Sequence, residues 1–192
     1  CYHMSEVVVH PEHVKLWLDA WQGKDIWTTL FAGYQAAVDW PAAAFWPQLM
    51  HVYPEAKIVL SIRDADKWFE SARNTIFQSM DSNLLAKDEV LRTRIEMLKE
   101  IIVDGTFNGD LTDKDKCIKI YKENIERCRS EVPLDRLIEF DTFLGWEQLC
   151  KELDCTIPEK HYPHVNKAAE FTHRSEEHTS ELQQLVKPVY SL

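Results

Sequence analysis

The feature that most constrains this chain is the run Ala56-Lys57-Ile58-Val59-Leu60-Ser61-Ile62, followed without a spacer by an amphipathic segment. The run is near-continuously apolar and rich in β-branched residues, which predicts a central parallel strand covered on both faces. The segment from Arg63 to Met80, RDADKWFESARNTIFQSM, predicts a helix with Trp68, Phe69, Ala72, Ile76 and Phe77 on its apolar side. A strand that passes straight into a helix leaves no room for a hairpin partner. The expected fold class is therefore α/β, a parallel sheet flanked by helices.

The remaining segments fit that expectation. Val14, Leu16, Trp17, Leu18 and Trp21 recur at helical spacing and end at Gly23. Asp25 is placed to cap a short second helix through Leu30, Phe31 and Tyr34. Ala36-Ala37-Val38 reads as a short buried strand closing at Asp39. Pro41 suits the first position of a helix from Ala42 to Tyr53, in which Pro47 predicts a kink. Two long amphipathic stretches follow, at about residues 87–103 and 113–130. A second apolar strand is expected from Arg136 to Phe140, with a helix from Gly145 to Leu153 behind it. Ligands of open parallel sheets bind beyond the carboxyl ends of the strands, which puts Asp39, Arg63 and Asp141 on one rim.

Composition narrows the function classes. The 192 residues include 45% apolar and 28% charged positions, enough for one domain with a substantial core. A formal net charge of -10 disfavours nucleic acid as a partner, yet a few arginines can still hold a small anion locally. The five cysteines form no CxxC pair, so reduced and mostly buried thiols in a cytoplasmic protein are expected. No apolar run approaches the ~20 residues of a membrane span, and no signal peptide is visible at the start. His161, His164 and Cys155 lie close in sequence, but the carboxylates near them lack ligand spacing, so no metal is expected.

Arg63, at the end of the central strand, can grip a phosphate with two parallel charge-assisted bonds. Ser71, eight residues on, lies about two helical turns away and can bring its hydroxyl to the same phosphate. The competing reading pairs Arg63 with Asp64 or Asp66. Asp39 suits a general base, with Trp40-Pro41 fixing its loop, or equally a cap on the helix starting at Pro41. His3 is the second possible base, and alternatively a core histidine beside Tyr2. Asp141 reads as a helix-start residue, and Trp146 as core rather than as a stacking surface for adenine.

The chain resembles the P-loop sulfotransferase family, in the branch reading YHM-E, DWPAA-FW and GW-LC in that order. Those motifs stand here as Tyr2-His3-Met4-Ser5-Glu6, as Asp39-Trp40-Pro41-Ala42-Ala43-Ala44-Phe45-Trp46, and as Gly145-Trp146-Glu147-Gln148-Leu149-Cys150. The blocks Tyr53 to Phe77 and Tyr162 to Phe171 are also similar to family segments, so the resemblance covers residues 1–171. It implies a P-loop NTPase-like sheet and sulfuryl transfer from 3′-phosphoadenosine 5′-phosphosulfate to a hydroxyl or amine of a small molecule. It also implies that Arg63 and Ser71 bind the donor's 3′-phosphate, and that His164 and Asn166 lie where the chain closes over the nucleotide.

The family's other phosphate clamp, a strand, a G-GRTGT-S loop and a helix before the YHM motif, has no counterpart in Cys1 to Val9. The expectation is that this first strand–P-loop–helix unit is missing, and that the fragment is inactive and unstable, with apolar sheet surface uncovered. Two further readings stay open: a P-loop small-molecule kinase sharing the architecture, and a non-catalytic truncated product or interaction module. Residues 172–192 lose core periodicity. RSEEHTSELQ, from Arg174 to Gln183, looks like a translated sequencing adapter, so the tail is expected to be an assembly artefact rather than a charged helix.

Overall fold

The computed structural model describes residues 1–77, 80, 89–141 and 144–162. The two strongest apolar runs form strands β1 (Ile58–Ser61) and β2 (Leu137–Phe140), paired parallel with Ile58 opposite Leu137 and Ser61 opposite Phe140. Eight α-helices are assigned among the described residues. They are α1 (Met4–Val9), α2 (His13–Trp21), α3 (Trp27–Leu30), α4 (Trp46–Val52), α5 (Ala65–Ala72), α6 (Glu89–Leu98), α7 (Lys114–Glu131) and α8 (Gly145–Glu152). The fold is mixed α/β with a small parallel sheet.

β1 departs from its expected surroundings. Its residues alternate between half-buried and exposed, and Val59 is 43% exposed, so the strand is not covered on both faces. β2 is better buried, with Ile138 and Phe140 in the core. The expected strand at residues 36–38 is a single parallel bridge between Ala37 and Tyr2, and all three residues are exposed. Alanine side chains bury little area, so this segment is held by backbone bonds: Tyr2 N–H to the Ala36 carbonyl at 2.7 Å, and Val38 N–H to the Tyr2 carbonyl at 2.9 Å.

Helix boundaries follow capping chemistry. Asp64 caps α5 by accepting the Lys67 N–H at 2.9 Å, and Asp113 caps α7 by accepting the Lys116 N–H at 3.0 Å. Asp25 caps nothing, because α3 starts behind Ile26 without a side-chain cap. The segment expected as one kinked helix divides in two: a 3₁₀ turn over Ala42–Phe45, then α4. Pro47 is therefore in the first turn of α4, where a missing N–H breaks no helical bond. The kink expected from Pro47 gives way to a new start. Helices α5 and α6 each run on into a π-helical turn, Arg73–Phe77 and Lys99–Asp104.

The main core is an aromatic cluster. Trp17 is fully buried, its indole N–H donates to the Tyr2 hydroxyl at 3.0 Å, and its ring packs on Tyr2, Trp27, Phe31 and Phe45. Edge-on and tilted contacts of this kind add about 0.5–1.5 kcal/mol per pair to the burial itself. The cluster ties α2, α3 and the 3₁₀ turn to Tyr2, which positions the chain start beside residues 36–38. A smaller cluster of Trp46, Cys128 and Val132 packs α4 and α7 against β1. Cys117, Cys128 and Cys150 are buried, Cys1 and Cys155 are exposed, and all five are free thiols. Among the described residues, no helix is long and apolar enough to cross a membrane.

Candidate active site

A cavity of about 890 Å³ opens between β1, α5, α7 and the 3₁₀ turn. That volume is within the range of small-molecule sites. Aromatic side chains form much of its wall: Trp21, Trp40, Trp46, Trp68, Phe77 and Phe107. Trp40 contacts Phe107, Phe107 stacks on Trp68, and Trp68 stacks on Tyr121 with centroids 4.4 Å apart. Polar atoms enter from Arg63, Asn108, Asn124 and Arg127 among others. Gly105 lines the same wall under the Trp21 indole, where an added Cβ would meet ring carbons at 2.5 Å.

Arg63 follows β1 directly and lines this cavity. Its backbone is fixed: the Arg63 N–H donates to the Tyr121 hydroxyl at 3.1 Å, and that hydroxyl lies 3.2 Å from the Arg63 carbonyl. Its exposed guanidinium makes no ion pair or hydrogen bond among the described residues. The two carboxylates that could have neutralised it act elsewhere. Asp64 caps α5, and Asp66 holds Lys114 at 2.7 Å, a bond that keeps the Asp66 carboxyl below its ordinary pKa.

Ser71 lies in the last turn of α5, half-buried. Its carbonyl accepts the Thr75 hydroxyl at 2.7 Å, while its own hydroxyl has no partner among the described residues. Its neighbour Ala72 lines the cavity; Ser71 itself is not part of that lining. Arg127 is less available than Arg63, because Glu131 holds it through two bonds and its guanidinium lies over the Trp46 ring at 5.1 Å.

The two possible bases are brought together. Asp39 adopts a left-handed backbone with φ 64°, uncommon outside glycine and most tolerated by Asp and Asn. Its carbonyl accepts the Ala43 N–H at 2.9 Å, and the 3₁₀ turn has no side-chain cap, so the carboxylate is not spent on capping. Instead Asp39 Oδ2 lies 3.5 Å from His3 Nε2, with the carboxylate side chain one-third exposed. His3 Nδ1 accepts the Ser5 N–H at 3.1 Å, capping α1, so the neutral ring carries its proton on Nε2, towards Asp39. The core position beside Tyr2 that was one reading of His3 is not observed; the ring is exposed.

Other expectations resolve differently. Trp146 is half-buried rather than core, donating to the Lys160 carbonyl at 2.8 Å and meeting Tyr162 edge-on. The Asp141 carbonyl accepts the Leu144 N–H just before α8, as a helix-start residue would. His164 and Asn166 lie outside the described residues, as does the tail from 172 to 192. The sequence reading passed over one group, His10, Glu12 and His13, whose side-chain ligand atoms converge within 4.8 Å. The pattern His-x-Glu-His across a proline turn was the available signal.

Comparison with known proteins identifies the family. The chain is 30% identical over 186 aligned positions to "Ava biosynthesis cluster protein M" of Aspergillus versicolor, covering 85% of this chain and 70% of that protein. A family model described as "Sulfotransferase domain" matches residues 1–171. The protein belongs to the sulfotransferase domain family.

Proposed function

We propose that this protein acts in sulfuryl transfer from 3′-phosphoadenosine 5′-phosphosulfate to a hydroxyl or amine of a small molecule, within a P-loop-type sheet in the cytoplasm. The observation that carries the proposal is the guanidinium of Arg63, without a partner among the described residues, at the wall of the cavity in a chain of net charge -10. Leaving a cation without a partner while two adjacent carboxylates are committed elsewhere favours an anionic ligand from outside the chain. Ser71, on the helix that follows and with a hydroxyl that has no partner among the described residues, is the second contact to the donor's 3′-phosphate. His164 and Asn166 are assigned to closure over the nucleotide.

Asp39 is the general base. As the acceptor oxygen or nitrogen bonds to sulfur, the sulfur–oxygen bond to the donor's phosphate breaks. The acceptor proton passes to the Asp39 carboxylate, and 3′-phosphoadenosine 5′-phosphate departs. His3 positions that carboxylate through its Nε2 proton, and both of its ring nitrogens are then occupied. The chemistry asks little covalent work of the protein and much orientation. The aromatic wall of Trp40, Trp68 and Phe107 offers the acceptor an apolar surface.

A labelled-donor assay on the full-length protein, against a panel of alcohols and amines, tests the proposal. Transfer of label to members of either class, abolished by Asp39→Asn, is expected. Absence of transfer together with failure to bind 3′-phosphoadenosine 5′-phosphate would overturn it.

A further inference from the structure

We propose that His10, Glu12 and His13 form a binding site for a divalent transition-metal ion at the elbow between α1 and α2. One ligand atom from each residue lies within 4.8 Å of the other two. His10 Nδ1 and Glu12 Oε1 stand 3.3 Å apart. That separation is about the ligand–ligand edge of a tetrahedral site with bonds of ~2.0–2.1 Å. The His10 and His13 rings are neighbours, with centroids 5.0 Å apart and 26° between their planes. Closing the remaining distance takes rotation of the partly exposed His10 and Glu12 side chains, with no backbone change.

The backbone of the elbow is fixed. The His10 N–H donates to the Glu6 carbonyl at 2.7 Å, the His13 N–H to the His10 carbonyl at 2.9 Å, and Pro11 stiffens the turn between them. His13 also has an orienting partner. Its Nδ1 is 3.2 Å from the hydroxyl of the buried Tyr2, which accepts the Trp17 indole N–H from its other side. In the tautomer with the proton on Nδ1, that N–H donates to Tyr2 and the Nε2 lone pair is available to an ion, the outer-sphere arrangement that ligating histidines commonly have. Two imidazoles and one carboxylate suit zinc, cobalt, nickel or copper better than magnesium or calcium. Three protein ligands leave further positions for water.

Cobalt(II) titration of the full chain, read by its visible absorption, tests the site. The expected result is one saturable site per chain with nitrogen and oxygen ligation and no thiolate charge-transfer band. His10→Ala and Glu12→Gln, both at solvent-facing side chains, should each weaken binding tenfold or more. Tyr2→Phe, which leaves all three ligands in place, should weaken it by about tenfold or more. Zinc should raise the melting temperature of the wild-type chain and leave that of the His10→Ala, Glu12→Gln double variant unchanged. A thiolate band would place the ion on the cysteines instead. That result, or binding indifferent to His10 and Glu12, overturns the proposal.

Discussion

His3 Nε2 stands 3.5 Å from Asp39 Oδ2, while Nδ1 of the same ring accepts the Ser5 backbone N–H. One imidazole thus joins the start of α1 to a carboxylate at a left-handed backbone position, 36 residues away in sequence. The proposed roles, Asp39 as base and His3 as the residue that positions it, predict different losses. Asp39→Asn should lower kcat by about 10²–10⁴-fold with little change in nucleotide affinity, as loss of a general base does. His3→Ala should reduce kcat less, and should also cost about 1 kcal/mol of stability through the lost helix cap. Turnover with labelled donor and a urea titration of each variant measure the two effects.

The Ser71 hydroxyl, in the last turn of α5, has no partner among the described residues. Ser71→Ala should cost about 1 kcal/mol of affinity for 3′-phosphoadenosine 5′-phosphate, about fivefold in Kd, with the melting temperature unchanged. Calorimetric titration of the nucleotide reads the first, and thermal unfolding the second.

Gly105 lies against the Trp21 ring, and an added Cβ would also approach the Ile101 carbonyl to 2.8 Å. The carbonyl is backbone, and the Trp21 atoms belong to a rigid indole ring that would have to swing aside. Gly105→Ala should therefore destabilise the fold by about 1–3 kcal/mol, as overpacking does. A lower urea midpoint with an unchanged slope is the expected signature.

High pH should weaken the fold through two tyrosines. Burial pushes the Tyr2 hydroxyl up to about 12, and the hydrogen bond to Glu6 does the same for Tyr34. In the unfolded chain both titrate near 10. The folded state therefore holds more protons than the unfolded state between about pH 10 and 12, and stability falls with rising pH across that window. Below about pH 10 these two groups contribute no slope. Stability measured from pH 9 to 12 should show this fall, and Tyr34→Phe should reduce its steepness.

The parts of the fold carried by strong local patterns were legible in the sequence. β1 and β2 are dense in β-branched and large apolar residues, and α7 has an Asp cap and a helical period, so local preference and tertiary placement agree. The segment at residues 36–38 was misread because alanines satisfy a strand pattern without supplying area to bury. Pro47 was misread because its meaning depends on where the helix begins, which the 3₁₀ turn decides. At the site, the position of Arg63 at a strand end was readable, but its freedom from Asp64 and Asp66 was not, since Lys67 N–H and Lys114 claim those carboxylates in space. The contact of His3 with Asp39 depends on the bridge between Tyr2 and Ala37, which no local pattern announces.

The guanidinium of Arg63 is the contact on which the account rests, and calorimetric titration of wild type and Arg63→Ala with two nucleotides tests it directly. The wild-type chain should bind 3′-phosphoadenosine 5′-phosphate more tightly than adenosine 5′-monophosphate. Arg63→Ala should lose about 2 kcal/mol or more for the first, about thirtyfold in Kd, and leave the second unchanged. Equal affinity of the wild type for both nucleotides, or an Arg63→Ala variant that binds the bisphosphate as well as the wild type does, would contradict it.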